Sequence, residues 1–246
     1  MSNVLSRDEL VSTLRPLDRT SLWDRAYEAL RDDLLAGRLR PGQRLPLRDI
    51  AAGLGISLTP VRDAVNRLVA ERVLERGSSG QGGGATVPMM RAADFDELTQ
   101  IRIDLEGRAA LRAAELATPE TVEQLGRDLD AMRRLIAERR LQDYLAVHRQ
   151  FHFDLYAAAR MPILRGIIEN LWLRCGPALT YVIPSYVLQL KGSDLHRSAL
   201  DAMTRRDGEA AASAIRADIL NAAEYISTLA DADGIIQRPE SAAVPA

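Results

Sequence analysis

The absences in this chain of 246 residues narrow its function first. A single cysteine, Cys175, excludes an internal disulfide and a cysteine-only metal cage. Aromatic residues make up only 4% of the chain, and with alanine and leucine abundant this favours helix over sheet. No apolar run approaches the ~20 residues of a membrane span, and residues 1–20 hold no continuous apolar core of the secretory type. A cytoplasmic location without a membrane partner is therefore expected. The net charge is only −2, but it is unevenly spread: over residues 38–76 eight arginines face four acids, so the rest of the chain is acidic. A cationic segment in an otherwise acidic chain is the electrostatic footprint of a nucleic-acid reader.

That segment also carries a two-helix pattern. Leu47, Ile50, Ala51 and Leu54 fall on one helix face, and Gly55 follows where a left-handed residue closes a helix. Ser57 is placed to cap the next helix and Pro60 sits in its first turn. Val61, Val65, Leu68 and Val69 then form an inner face, leaving Thr59, Arg62 and Asn66 outward. A second helix with a polar, cationic N-terminal face suits the major groove. The alternative is a core helix pair with solvated arginines. Upstream, Ser21 can cap a helix from Leu22 to about Ala36, with Leu22, Ala26, Ala29, Leu30 and Leu34 on one stripe and Gly37 ending it. Downstream, the short runs Val73–Arg76 and Ala85–Val87 flank GSSGQGGG. Three helices and a glycine-tipped hairpin predict a winged helix-turn-helix over residues 21–88, preceded by a disordered tail at 1–20.

From Pro88 on, no strand pattern appears. Asp94 is placed to cap a long helix, Thr118-Pro119 to start another, and further helices follow from Leu141, Pro162, Asp194 and Gly208. Gly176-Pro177 and Pro184 predict that the segment from Ile163 to Leu190 is at least two pieces, kinked or broken, and the last helix is expected to end near Asp231. The fold class is mainly α: the winged head plus an all-helical bundle of six or seven helices over 92–231, with a disordered tail at 232–246. All three histidines lie in this bundle. His148 and His152 are four apart, so they share a face one turn apart. With His196 and the inward Asp218 they would make an N3O set for a borderline divalent ion such as Zn, Ni or Mn. Spacing alone leaves open that the histidines are structural.

The run PGQRLPLRDIAAGLGISLTPVRDAVNRLVAERVLE resembles the winged-helix domain of the GntR family of bacterial transcription regulators. The second half resembles that family's FCD (FadR-like) subgroup through Arg102, Leu105 and Glu106, then Phe151-His152, then His196, Leu200, Ala202 and Met203. The resemblance implies a divalent metal held by an aspartate and three histidines. Here His148 stands in the aspartate's place and Asp218 in the last histidine's, so the donor set is conserved by exchange. It also implies a double-stranded DNA operator contacted by Arg44, Arg48, Ser57, Leu58, Thr59, Arg62 and Asn66. Leu58 stands where the family commonly has arginine, which removes a guanine-reading side chain and leaves apolar contact only. A metabolic operon, repression, a small organic or sugar acid effector met by Arg102, and a homodimer complete the implied picture. Arg174, on a central helix beside Asn170 and Trp172, is a second candidate for the acid, and each arginine has the alternative reading of a surface or intrahelical ion-pair residue. Two other readings compete: a metal-dependent enzyme using Asp104 or Glu106 as base, with an accessory DNA-binding fold, and a DNA-binding dimer whose bundle is purely structural.

Overall fold

The computed structural model describes residues 22–77, 83–182 and 193–239. The expectations about residues 1–20, the Ser21 cap, the glycine tip from Ser78 to Gly82 and the Pro184 break lie outside the described residues. Among the described residues, no helix is long and apolar enough to cross a membrane.

The head begins with α1 (Leu22–Leu35), which buries Ala26, Tyr27, Leu30 and Leu34. Leu22, expected on that stripe, is the first residue of the helix and is exposed. Gly37 ends the turn at φ +67°, where a Cβ would also strike Thr180 of the bundle. A strand not foreseen in the sequence follows: β1 (Arg44–Pro46), the edge of a three-stranded antiparallel sheet completed by β2 (Glu75–Arg76) and β3 (Gly84–Thr86) in the order β1-β3-β2. Its register pairs Leu45 with Ala85, and both side chains are buried. Then come α2 (Leu47–Leu54) and α3 (Leu58–Ala70), joined through Gly55 at φ +65°. Ser57 has the extended backbone of a cap, yet its hydroxyl makes no capping hydrogen bond. Val61, Ala64, Val65 and Leu68 are the buried face of α3; Val69, expected there, is half-buried one step around the helix. The wing strands are β2 and β3.

The bundle comprises six α-helices among the described residues: α4 (Ala92–Leu116), α5 (Pro119–Ala137), α6 (Leu141–Ala158), α7 (Pro162–Leu179), α8 (Ser193–Arg205) and α9 (Gly208–Ser227). Thr118 caps α5 by accepting from the Thr121 N–H at 3.3 Å, and Asp207 caps α9 by accepting from the Ala210 N–H at 3.0 Å. Asp94 does not cap α4; the helix starts at Ala92, and Asp94 lies in its first turn, where it favours the positive end of the helix dipole. The interruption expected at Gly176-Pro177 falls two residues later, after Leu179. The proline sits in the last turn of α7, so it forfeits one hydrogen bond before the chain tightens into a 3₁₀ turn at Thr180–Val182.

α9 stops at Ser227, short of Asp231, and the tail expected to be disordered from 232 is anchored at its start. The Asp231 carboxylate accepts from the N–H groups of Asp233 and Ile235, the Ile236 N–H donates to the Met90 carbonyl, and Ile236 is fully buried. An apolar pair, Ile235-Ile236, supplies the burial that a purely polar tail would lack.

The core of the bundle is rich in small side chains where α4 faces α9: Ala109, Ala110, Ala113 and Ala114 meet Ala211 and Ala214. One helix serves both halves of the molecule. α7 gives Ile168 and Trp172 to the bundle core and Leu173 to the core of the head, and its Gly176 lies against the backbone of Leu34 and Leu35.

Candidate metal centre and DNA-reading head

Four side chains from three helices converge on one point in the bundle. His148 and His152 project from the same face of α6, His196 from the first turn of α8, and Asp218 from the middle of α9. His152, His196 and Asp218 are buried and His148 is half-buried. The His152 Nε2 lies 3.2 Å from the Nε2 of His148 and 3.2 Å from that of His196. The Asp218 Oδ2 is 3.4 Å from the His152 Nε2 and 3.7 Å from the His196 Nε2. All four donor atoms lie within 4.8 Å of one another. Ligands about 2.0–2.1 Å from a tetrahedral ion stand roughly 3.3 Å apart, so these separations are those of a ligand sphere.

Hydrogen bonding among the rings does not account for the cluster. The Tyr156 hydroxyl donates its one proton to the Glu106 carboxylate at 2.5 Å, so it must accept from His152 Nδ1–H at 3.0 Å. A neutral His152 then turns an unprotonated Nε2 toward the other donors. That single in-plane lone pair cannot serve His148 and His196 at once, whereas a cation at the convergence point satisfies all four groups.

The ionisation states also fit. Burial, and then the neighbouring His152 and His196, hold His148 well below its ordinary value, so it is neutral. Burial alone would raise Asp218, but His196 and His152 outweigh it and keep the carboxylate ionised. Neutral imidazoles and an ionised carboxylate are the states that bind metal.

Behind the donors runs an orienting chain. The Arg102 Nε donates to Glu106 Oε1 at 2.6 Å, Glu106 accepts from Tyr156, and Tyr156 fixes the His152 tautomer. Burial, followed by Glu106, pushes the Tyr156 phenol well up, so it stays a donor. Tyr156→Phe should therefore lower metal affinity by about 10–100-fold, the usual cost of losing an outer partner of a ligand. Competition with a chelating dye measures it, and an unchanged affinity would show that the tyrosine has no part in the site. Neither Tyr156 nor the role of Glu106 was foreseen, although both i,i+4 pairs, Arg102/Glu106 and His152/Tyr156, are visible in the sequence.

One wall of the donor cluster opens on a cavity with ≈ 80 Å³ open to the centre of a water molecule. That is room for several waters or a compact organic acid. Arg102 lines it, stacked 4.9 Å over the Trp172 ring and tied to Glu106. Arg174 does not line it: two residues beyond Trp172, it points about 200° around α7 from that ring. Two arginines passed over in the sequence, Arg133 and Arg149, do line it. The Trp172 Nε1 is buried and has no hydrogen-bond partner among the described residues, which leaves a donor unsatisfied beside the cavity.

In the head, Arg44, Arg48, Ser57, Thr59, Arg62 and Asn66 are all exposed, the last three on the outer side of α3. Leu58 differs: it is half-buried and packs on the core of the head, so less of it is offered to a thymine methyl than expected. Arg67 is occupied inside the head. Its guanidinium lies 3.9 Å over the Tyr27 ring and its Nε donates to Glu71, which also accepts from the Tyr27 hydroxyl. Burial and Glu71 push that phenol up to about 12. The result clamps α1 onto α3 and presents α3 rigidly.

Comparison with known proteins gives two domain matches: "Bacterial regulatory proteins, gntR family" over residues 22–87 and "FCD domain" over residues 97–221. The HTH-type transcriptional regulator McbR of Escherichia coli K12 is 36% identical over 153 residues, which is 62% of this chain and 68% of McbR. A protein of Paenarthrobacter nicotinovorans, described as the probable D-xylose utilization operon transcriptional repressor, is 28% identical over 231 residues, covering 91% of this chain and 95% of that one. Among solved structures, E. coli McbR/YncC superposes with a TM-score of 0.76 at 30% identity, over 82% of this chain and 95% of its own.

Proposed function

The chain belongs to the GntR family of bacterial regulatory proteins, with an FCD domain behind its winged reading head, and on that premise we propose that it represses a metabolic operon under the control of a small carboxylate held at a divalent metal. It is a transcription regulator and not an enzyme, so the catalytic reading of Asp104 and Glu106 falls away. The observation that carries the proposal is the convergence of three imidazole nitrogens and one carboxylate oxygen on the wall of a cavity. His148, His152, His196 and Asp218 would hold the ion, which when bound supplies a Lewis-acidic site for a carboxylate oxygen. Zn, Ni and Mn all accept such an N3O set. Arg102 and the unsatisfied Trp172 N–H stand ready beside it for the effector's remaining oxygens.

At the other end, Arg44, Arg48, Ser57, Thr59, Arg62 and Asn66 form the DNA-reading surface, with Leu58 a minor apolar contact. Two copies of the chain form a cytoplasmic homodimer on a roughly palindromic operator, one head per half-site. A ligand alters DNA affinity only by binding the competent and incompetent arrangements differently. The helix shared by both cores, α7, gives a physical route between them.

The test is a thermal-shift screen of organic and sugar acids on the purified chain, with and without chelator. Stabilisation by an acid that chelator abolishes is expected; stabilisation insensitive to chelator would remove the metal from the mechanism. At the head, Arg62→Ala should weaken binding to a selected operator by about 1–3 kcal/mol while leaving random DNA little changed. Equal losses on both would assign Arg62 to phosphate rather than to a base. The reading in which the bundle only dimerises predicts no metal and no acid response.

A further inference from the structure

We propose that the effector is a short dicarboxylate whose second carboxylate draws Arg149 away from Asp32, so that the arginine recognising the ligand also loosens the reading head. This deepens the carboxylate reading above and rests on it.

The cavity wall carries three arginines, Arg102, Arg133 and Arg149, against one carboxylate, Asp218, and the candidate metal site would add further positive charge. Arg102 is already neutralised by Glu106. Arg133 forms no ion pair among the described residues. A monocarboxylate spent on the metal leaves Arg133 without an anionic partner and Arg149 held only by an exposed pair with Asp32, whereas a second carboxylate supplies the planar acceptor that guanidinium groups match. The surface between the two ends is apolar, with Leu129, Met132, Ile136 and Ile219 along it, as suits a short hydrocarbon spacer.

The second observation ties this ligand to the output. The Arg149 Nη1 lies 3.2 Å from the Asp32 Oδ1, and Asp32 is on α1 of the head. The pair is solvent-accessible, with the two side chains 32% and 59% exposed, so it is weakly held and open to competition. The same turn of α1 supplies Leu35 to the cavity wall. A dicarboxylate in the cavity and Asp32 on the head therefore compete for one cation. By linkage, whatever weakens the Asp32 contact must strengthen dicarboxylate binding.

The experiment uses the full chain loaded with zinc and titrated calorimetrically with malonate, succinate and glutarate, each against propionate, butyrate or valerate of matched length. At least one dicarboxylate should bind about tenfold or more tightly than its partner. Arg149→Gln, a partly exposed substitution, should remove most of that advantage and leave the monocarboxylate affinity within about twofold. Asp32→Asn should tighten the dicarboxylate several-fold, and in that variant the acid should change DNA affinity less than in the parent. Equal binding of mono- and dicarboxylates, or discrimination that survives Arg149→Gln, would overturn the proposal while leaving the carboxylate reading intact. Binding of none of the six acids would overturn the dicarboxylate proposal, and absence of any response in the wider acid screen would overturn the carboxylate reading as well.

Discussion

The His152→Ala chain should carry no stoichiometric divalent metal under conditions where the parent carries about one ion per chain. His152 is the hub of the donor set, the residue whose Nε2 lies nearest to the other three donors and whose opposite nitrogen is locked by Tyr156. Metal bound to the native state at 100 times its dissociation constant stabilises by about 2.7 kcal/mol. For a protein of this size that corresponds to a melting temperature about 5–10 °C higher on metal addition. The variant should show no such rise. Since His152 is also buried among Phe151, Tyr156 and Trp172, its loss carries a packing cost. His196→Ala supplies the second arm and should lose metal likewise. Elemental analysis reads occupancy and circular dichroism checks folding. One ion per chain in both folded variants would place the metal elsewhere.

Arg102→Met should cost about 3–5 kcal/mol of stability, the penalty of leaving a buried charge without its partner. Glu106 is wholly inaccessible to solvent and the Arg102 side chain is 6% exposed, so water cannot substitute for the guanidinium. The consequence reaches the site, because Glu106 holds Tyr156 and Tyr156 holds the His152 tautomer. Adding Glu106→Gln removes the stranded charge while keeping an acceptor for the Tyr156 hydroxyl, and most of the loss should return. The comparison is made by urea denaturation of all three proteins. A single variant within about 1 kcal/mol of the parent would mean that the pair contributes nothing net to the fold, as exposed pairs often do not.

Much of this organisation was legible in the residues because it is local. Gly55 needs a left-handed backbone, Thr118-Pro119 starts a helix through its own side chain and ring, and His148/His152 share a face through helix geometry alone. The partnership of those histidines with His196 and Asp218 is not local. It was reachable through family resemblance, and the folded arrangement brings together all four donors named from sequence. What escaped depends on packing. β1 is three residues long and exists because β3 pairs with it. Pro177 marks a kink or break by its chemistry, but a proline in the last turn costs a helix little. Arg174 and Arg149 look alike in sequence, and only the rotation of their helices decides which one lines the cavity. The Leu58 position shows the same limit: its chemistry was readable, whereas its half-burial against the head was not.

The central claim is that an acid bound at the metal controls the reading head. Its most direct test is the affinity of the full chain for a DNA fragment selected from random sequence by the protein itself. Binding is measured with and without the acid identified by thermal shift, in metal-loaded, chelator-stripped and His152→Ala protein. The account predicts that the acid changes affinity for that fragment by about 5-fold or more in the loaded protein, within the usual range of allosteric coupling, and leaves the other two unchanged. An acid effect of the same size in all three, or in none, would contradict it.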